Sequence, residues 1–285
     1  GMVPFSYGDS AQSLIVQADR ALTESETHTT HQTNFLPVVQ TDAALEDQHL
    51  WFTRLENALS KEQFQLFFQP VVDCKNTQKV IHYKVLSRIV DENGNSITAG
   101  RFLPWIHRFG WSQRLDQVML SLTLKQLKSY PGYLALSLSG NSLANEASIK
   151  QLLSPLKQSP QLANRLILEL DENQLPEPEQ MEVFIKSLNH YGCGLGLQHF
   201  GSRFDMIGHL SQWGLAYLKI DSSYIRHIDI ENDKRLFIDV LHGATNNIDL
   251  PLIAERVETE GELRVLQEVG IYGAMGQLLG EPAPF

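Results

Sequence analysis

The sequence predicts an α/β fold, a (β/α)8 TIM-like barrel whose first two strands form an antiparallel pair. Three observations predict it. Eight short strand-like segments recur between residues 64 and 275, and helical patterns lie between most of them. The link joining the first two is too short for a crossover helix, so that pair should run antiparallel.

In chain order, residues 1–39 stand apart from the rest. Leu14, Ile15, Ala18 and Leu22 recur at helical spacing within Ala11–Glu24, and the polar stretch Glu24–Asn34 then reads as a linker. His28 and His31 lie in that linker without carboxylate or thiol companions, which disfavours a metal site there. A helix from Asp47 through WFTRLENALSK leads into the barrel region. The strand segments are Phe64–Val72, Val80–Arg88, Tyr133–Ser139, Arg165–Leu170, Gly194–His199, Ala216–Asp221, Leu252–Glu255 and Tyr272–Met275. The helical patterns are Gln117–Ser129, Asn141–Lys157, Pro178–His190, Phe204–Trp213, Asp233–Ala244 and Thr259–Val269, with a shorter one at Arg101–Phe109. Phe64, Phe67 and Phe68 read as barrel core and hairpin packing, and Trp105, Phe109 and Trp111 as helix packing rather than a base-stacking platform.

Composition narrows the function. The 285 residues carry 23 Lys and Arg against 33 Asp and Glu, a formal charge of −10, which argues against a nucleic-acid polymer as partner. It leaves open a small anion in a locally positive pocket. At 42% hydrophobic and 20% charged, the chain has an ordinary globular composition. Cys74 and Cys193 make no disulfide framework and no Cys-x-x-Cys pair, so a reducing cytoplasm is expected. No apolar run approaches the ~20 residues of a membrane helix. Gly1-Met2 reads as a cloning scar, with any membrane part expected upstream of it.

In such barrels the ligand site lies at the carboxyl ends of the strands. The polar residues expected there are Gln69, Lys84, Arg88, Ser137, Glu169, Gln198, His199, Lys219, Asp221, Glu255 and Glu258. No Gly-x-Ser-x-Gly elbow, phosphate-binding glycine loop or His-Glu-x-x-His motif accompanies them, which removes most support for serine hydrolase, nucleotide kinase and zincin chemistry.

Seven ordered stretches carry a resemblance. They are Phe68-Gln69-Pro70-Val71, Lys84-Val85-Leu86-Ser87-Arg88, Leu168-Glu169-Leu170-Asp171-Glu172, Phe200-Gly201, Leu218-Lys219-Ile220-Asp221, Ile253 to Thr259 and Gly280-Glu281-Pro282. From about Trp51 to Phe285 the chain resembles an EAL domain, a barrel family that binds and usually hydrolyses cyclic di-GMP. Ala11–Glu24 similarly resembles the last helix of a GGDEF domain. The expected organisation is therefore the end of a GGDEF-like domain plus linker over 1–39 and an EAL-like barrel over 40–285.

The departures from the family pattern matter most. The resemblance implies hydrolysis by divalent metals held on carboxylates. Yet the signature Glu of Glu-x-Leu-x-Arg is Lys84, the metal-binding Asn after the third strand is Ser137, the Asp-Asp pair before Phe-Gly is Gln198-His199, and the late Gln falls at Met275. Glu169 and Glu255 remain among the metal ligands, with Lys219 matching the catalytic lysine. The binding positions persist: Gln69 near a guanine, Leu86 under the nucleotide, Arg88 on a phosphate, Asp116 on a guanine Watson–Crick edge and Glu258 near a base or the site floor.

The expectation is a catalytically inactive receptor that binds cyclic di-GMP without magnesium or manganese. Lys84 would replace a metal and pair with Glu169, leaving Arg88 and Lys219 for the phosphates. Relative to the hydrolytic pattern, Lys84 adds two charges, Gln198-His199 two and Arg256 one, so the mouth should be about five units more positive. Structural roles compete at several positions. Arg88 suits a rim ion pair, Lys219 a neutraliser of Asp221 or Glu169, Glu255 a partner of Lys84 or Arg256, and His199 a satisfied strand end. Two other functions stand beside the receptor: a protein-interaction scaffold without nucleotide binding, and an active phosphodiesterase. The Lys-Val-Leu-x-Arg form resembles the membrane-bound Lap-type receptors. That likeness implies a cytoplasmic fragment of an inner-membrane protein, upstream GGDEF-like and membrane domains, a homodimer through the EAL domain, and control of a periplasmic protease in biofilm adhesion.

Overall fold

The computed structural model describes residues 41–91, 94–203 and 206–285, excepting the side chains of 41–46 and 209. The expected helix Ala11–Glu24, the linker Glu24–Asn34 and the segment 1–39 lie outside the described residues. The chain divides into two compact units, Gly1–Phe64 with Arg88–Trp111 and Gln65–Ser87 with Ser112–Phe285.

Aromatic packing builds the described part of the first unit. Helix α1 (Thr41–Ser60) carries Trp51, whose ring stacks on Trp105 at 6.1 Å, and Phe52, which meets Phe109 at 5.4 Å and Trp111 at 4.8 Å. These contacts satisfy the aromatic run by packing, as expected. Phe64 joins this unit, its ring 5.9 Å from that of Phe102, rather than the barrel core expected for it.

The barrel begins with β1 (Gln65–Asp73) and β2 (Val80–Val90). Asp73 makes the short turn between them: its Oδ1 accepts the backbone N–H groups of Lys75 (2.9 Å) and Asn76 (3.1 Å), an Asx turn. Strand β3 (Ser96–Thr98) lies antiparallel on the end of β2, with Arg88 opposite Thr98, and leads into α2 (Ala99–Arg108). Then come α3 (Ser112–Leu127), β4 (Leu134–Ser137), α4 (Glu146–Leu152), α5 (Pro160–Ala163), β5 (Leu166–Asp171), α6 (Pro178–Tyr191) and β6 (Gly194–Phe200). The barrel is completed by α7 (Ile207–Trp213), β7 (Tyr217–Ile220), α8 (Ser222–Ile225), α9 (Asn232–Asn246), β8 (Leu252–Ala254), α10 (Glu260–Val269) and β9 (Gly273–Ala274).

Neighbouring strands run β1-β9-β8-β7-β6-β5-β4-β2, and β1 also pairs with β2, closing eight strands into a ring. All are parallel except β1, which is antiparallel to β9 and hence to β2. The predicted fold is thus the observed one. One expected helix is broken: Asn141–Lys157 becomes a 3-10 turn at Gly140–Leu143, then α4, then a second 3-10 turn at Ser154–Gln158. Asn145 starts α4 as its N-cap by accepting the N–H of Ser148, and Pro155, at the start of the second turn, cannot donate to a continuing helix.

Inside the ring, Val71, Ala135, Ile167, Tyr217, Ile253 and Met275 form a buried layer. Met275 is therefore barrel core, with its backbone paired to Ala254 and Val257. Gly196 makes room for this layer: a Cβ there would lie 2.6 Å from the Tyr217 ring and 3.2 Å from Glu169 Cγ.

Candidate functional site

Side chains on a strand alternate faces, so two steps from the core layer toward the carboxyl ends reach the next inward layer. From Ala135, Ile167, Tyr217 and Ile253 those steps lead to Ser137, Glu169, Lys219 and Glu255. From Gly196 they lead to Gln198, and from the buried His82 to Lys84. In the register Ser137 stands opposite Glu169, whereas Lys84 pairs with Ala135, Gln198 with Asp171 and Lys219 with Ile253, so the storey crosses the strand stagger rather than following one register line. Six residues expected at the site therefore share one storey of the barrel.

Glu169 is its centre. It is fully buried, and both its oxygens are engaged. Oε2 takes the ammonium of Lys84. Oε1 accepts the Tyr217 hydroxyl at 2.6 Å and lies 2.6 Å from Lys219 Nζ, an ion pair without hydrogen-bond alignment. Lys84 Nζ also donates to Ser137 Oγ and, at 2.8 Å, to Gln198 Oε1. Burial alone would push the Glu169 carboxyl up, but the two ammonium groups outweigh it and hold the group well below the ordinary range. Burial lowers Lys84 despite Glu169, and raises the Tyr217 hydroxyl well above its usual value, with help from the same carboxylate. Beneath them His82 stacks on Tyr217 at 5.0 Å; burial, then Lys219, bring its imidazole down to about 3, so it is neutral.

A second cluster sits at the strand ends. The register of β6 on β7 shifts between Leu197 and Phe200, and His199 adopts φ 55°, a left-handed conformation. This bulge re-aims the strand, so that the adjacent Gln198 and His199 both find partners. His199 Nδ1 lies 2.7 Å from Asp171 Oδ2, and Nε2 lies 3.6 Å from Glu255 Oε2. The Asp171 hydrogen bond, reinforced by Glu255, raises the imidazole above its ordinary value against the opposing effect of burial.

The two clusters nearly cancel their own charges. Lys84 and Lys219 contribute two positive charges; Glu169, Asp171 and Glu255 contribute three negative ones. The sum is −1 with His199 neutral and 0 with it protonated; the expected gain of about five units is relative to the hydrolytic pattern, and Arg256 lies outside this sum. Lys219 is fully buried on Glu169, so it is not left for a phosphate. Glu255 faces His199, rather than the Lys84 or Arg256 partner expected for it.

A model of the family described as "EAL domain" matches residues 53–282. The chain belongs to the EAL domain family. It is 28% identical over 250 residues to the cyclic di-GMP phosphodiesterase PdeF of Escherichia coli, covering 84% of this chain and 32% of that protein. Its fold matches the Vibrio cholerae LapD S helix-GGDEF-EAL structure bound to c-di-GMP (TM-score 0.79, 22% identity, 98% of this chain and 68% of that one). It also matches the Pseudomonas aeruginosa FimX EAL domain bound to c-di-GMP (TM-score 0.72, 21% identity, 82% and 96%). The chain spans between 32% and 41% of the length of the first three curated relatives it matches.

Within this EAL domain the divalent metals implied by the resemblance do not fit the donor set. Both Glu169 oxygens already hold cations or a hydroxyl, and Ser137 and Gln198 turn their oxygens to Lys84. Among the described residues no group of three or more His, Cys, Asp or Glu is arranged to hold a metal ion.

The other expected site residues are placed less uniformly. Gln69 donates from Nε2 to the Gly280 carbonyl at 3.1 Å. Leu86 and Arg88 are half-buried and continue the two-residue period of Lys84 along β2. Asp116 is buried in α3, and its Oδ2 accepts from Ser139 N–H (2.9 Å) and Ser142 Oγ (2.6 Å); burial nevertheless pushes this carboxyl up to about 7. Asp221 caps α8 by accepting the N–H of Ser223. Glu258 is bound by Arg226. Sequence reasoning missed Tyr217, His82 and Arg226 as partners and gave Asp171 no role. Tyr217 and His82 carried a usable signal, since each lies two residues before a polar site residue on its strand.

Proposed function

We propose that this EAL domain is a cyclic di-GMP receptor that does not hydrolyse its ligand and needs no magnesium or manganese. The observation that carries the reading is the Lys84 ammonium, held by Glu169, Ser137 and Gln198 where the hydrolytic pattern has a metal-binding carboxylate. With a second ammonium on the same carboxylate, the storey supplies its own cations. Ligand binding is supported by family membership and by the c-di-GMP complexes of similar folds. Gln69, Leu86, Arg88, Asp116 and Glu258 are the proposed contacts. Asp116 would meet the ligand through Oδ1, because Oδ2 is spent on Ser139 and Ser142.

In this reading the bound domain signals through a conformational change or a homodimer. The setting is a longer inner-membrane protein with a GGDEF-like domain upstream, acting on a periplasmic protease in biofilm control. A scaffold without nucleotide binding is the second reading, favoured by the internal commitments of Lys219, Asp116 and Glu258. Calorimetry with cyclic di-GMP on wild type and Arg88→Ala tests the two. Loss of a charge-assisted phosphate contact predicts about 10- to 100-fold weaker binding. Silence of the wild type at micromolar ligand would leave the scaffold.

A further inference from the structure

Glu258 and Arg226 face each other on the loops that follow β8 and α8. The buried carboxylate of Glu262 ties these loops together. Its Oε1 accepts the N–H of His227 at 3.0 Å, while Oε2 accepts those of Glu258 (2.8 Å) and Thr259 (3.2 Å). Lys234 Nζ adds a bond to the Arg226 carbonyl at 2.7 Å. On this frame the Arg226 guanidinium forks onto Glu258, with NH1 3.1 Å from Oε1 and NH2 2.6 Å from Oε2.

The fork has a chemical counterpart in the proposed ligand. Guanine presents N1–H and its 2-amino group from one carbon, a guanidine built into a ring. A carboxylate reads that edge through two parallel N–H···O bonds, the arrangement a guanidinium makes with it. Adenine places an acceptor at N1 and cannot supply both donors. We propose that Arg226 is an internal stand-in for a guanine edge: it occupies Glu258 in the free protein and leaves it when a guanine binds. This rests on the receptor reading above and adds a residue that tunes affinity at that site. The side chains of Arg226 and Glu258 are 53% and 33% exposed, so the fork can open into water. Exposed pairs of this kind shift equilibria by about 1.5- to 5-fold.

General electrostatics predicts the opposite sign, because a cation near a dianionic ligand should help it bind. Arg226→Lys separates the two, since lysine keeps the charge and loses the planar fork. The experiment is calorimetry with cyclic di-GMP on wild type, Arg226→Lys, Glu258→Gln and the double variant, with thermal melts to verify folding. Arg226→Lys should tighten binding about 1.5- to 5-fold, and the gain should vanish in the Glu258→Gln background. Unchanged or weaker binding by Arg226→Lys, or an equal gain without Glu258, overturns the proposal while wild-type binding keeps the receptor reading. Silence of both wild type and Arg226→Lys overturns both, whereas binding by Arg226→Lys alone supports the stand-in.

Discussion

Replacing Glu169 by Gln removes the carboxylate shared by two buried ammonium groups while preserving side-chain size. Removing one partner of a buried pair costs about 3–5 kcal/mol, because the other charge remains without compensation. Here Lys84 and Lys219 both lose Glu169, though Lys84 keeps Ser137 and Gln198. The expected loss at pH 7 is therefore about 3–5 kcal/mol, or roughly 6–20 °C in melting temperature for a domain near this size. The penalty depends on pH. Burial already lowers the Lys84 ammonium, and without Glu169 it falls further. A folded lysine with a depressed pKa binds fewer protons than the unfolded chain, so stability rises with pH toward the unfolded value near 10.4. Urea unfolding at pH 7 and about pH 9.5 should show the gap between wild type and Glu169→Gln narrowing at the higher pH. A loss below about 1 kcal/mol at pH 7, or a gap that stays constant, would refute the shared-carboxylate argument.

Gly196→Ala should destabilise by about 1–3 kcal/mol in denaturant titrations, because the new methyl would press on the Tyr217 ring 2.6 Å away. Tyr217→Phe leaves Glu169 Oε1 without its 2.6 Å hydroxyl donor and should cost about 1–3 kcal/mol in the same assay. His199 has a raised pKa in the fold, so its contribution is fully present below the unfolded value near 6.5 and is lost as pH rises through the folded value. The stability difference between wild type and His199→Asn should accordingly be larger at about pH 5.5 than at about pH 8.5. An equal difference at both would remove charge from the role of His199.

The barrel was legible because its strands are short apolar runs bounded by turn residues, and because only six residues, Cys74–Lys79, separate β1 from β2. Asn141–Lys157 was misread as one helix since its apolar spacing is helical throughout, whereas Asn145 and Pro155 break it locally. At the site, strand periodicity brings Lys84, Ser137, Glu169, Gln198, Lys219 and Glu255 together, as the sequence leads one to expect. Pairing inside the ring is another matter. Lys219 reaches Glu169 across the barrel interior, and residue spacing does not encode which of several carboxylates a buried lysine meets. The His199 clasp depends on a bulge and a left-handed backbone, neither of which leaves a mark in polarity patterns. The family resemblance led one to expect Asp116 and Glu258 at the ligand, yet their hydrogen bonds to Ser142 and Arg226 depend on loops whose course follows from caps rather than from periodicity.

The central claim, binding without metal and without hydrolysis, is tested most directly by one titration. Cyclic di-GMP is added to the protein in magnesium and, separately, in EDTA, and the nucleotide is analysed afterwards. The account predicts the same dissociation constant in both buffers and intact cyclic di-GMP throughout. Affinity that collapses in EDTA, or linear pGpG appearing in the magnesium sample, would contradict it.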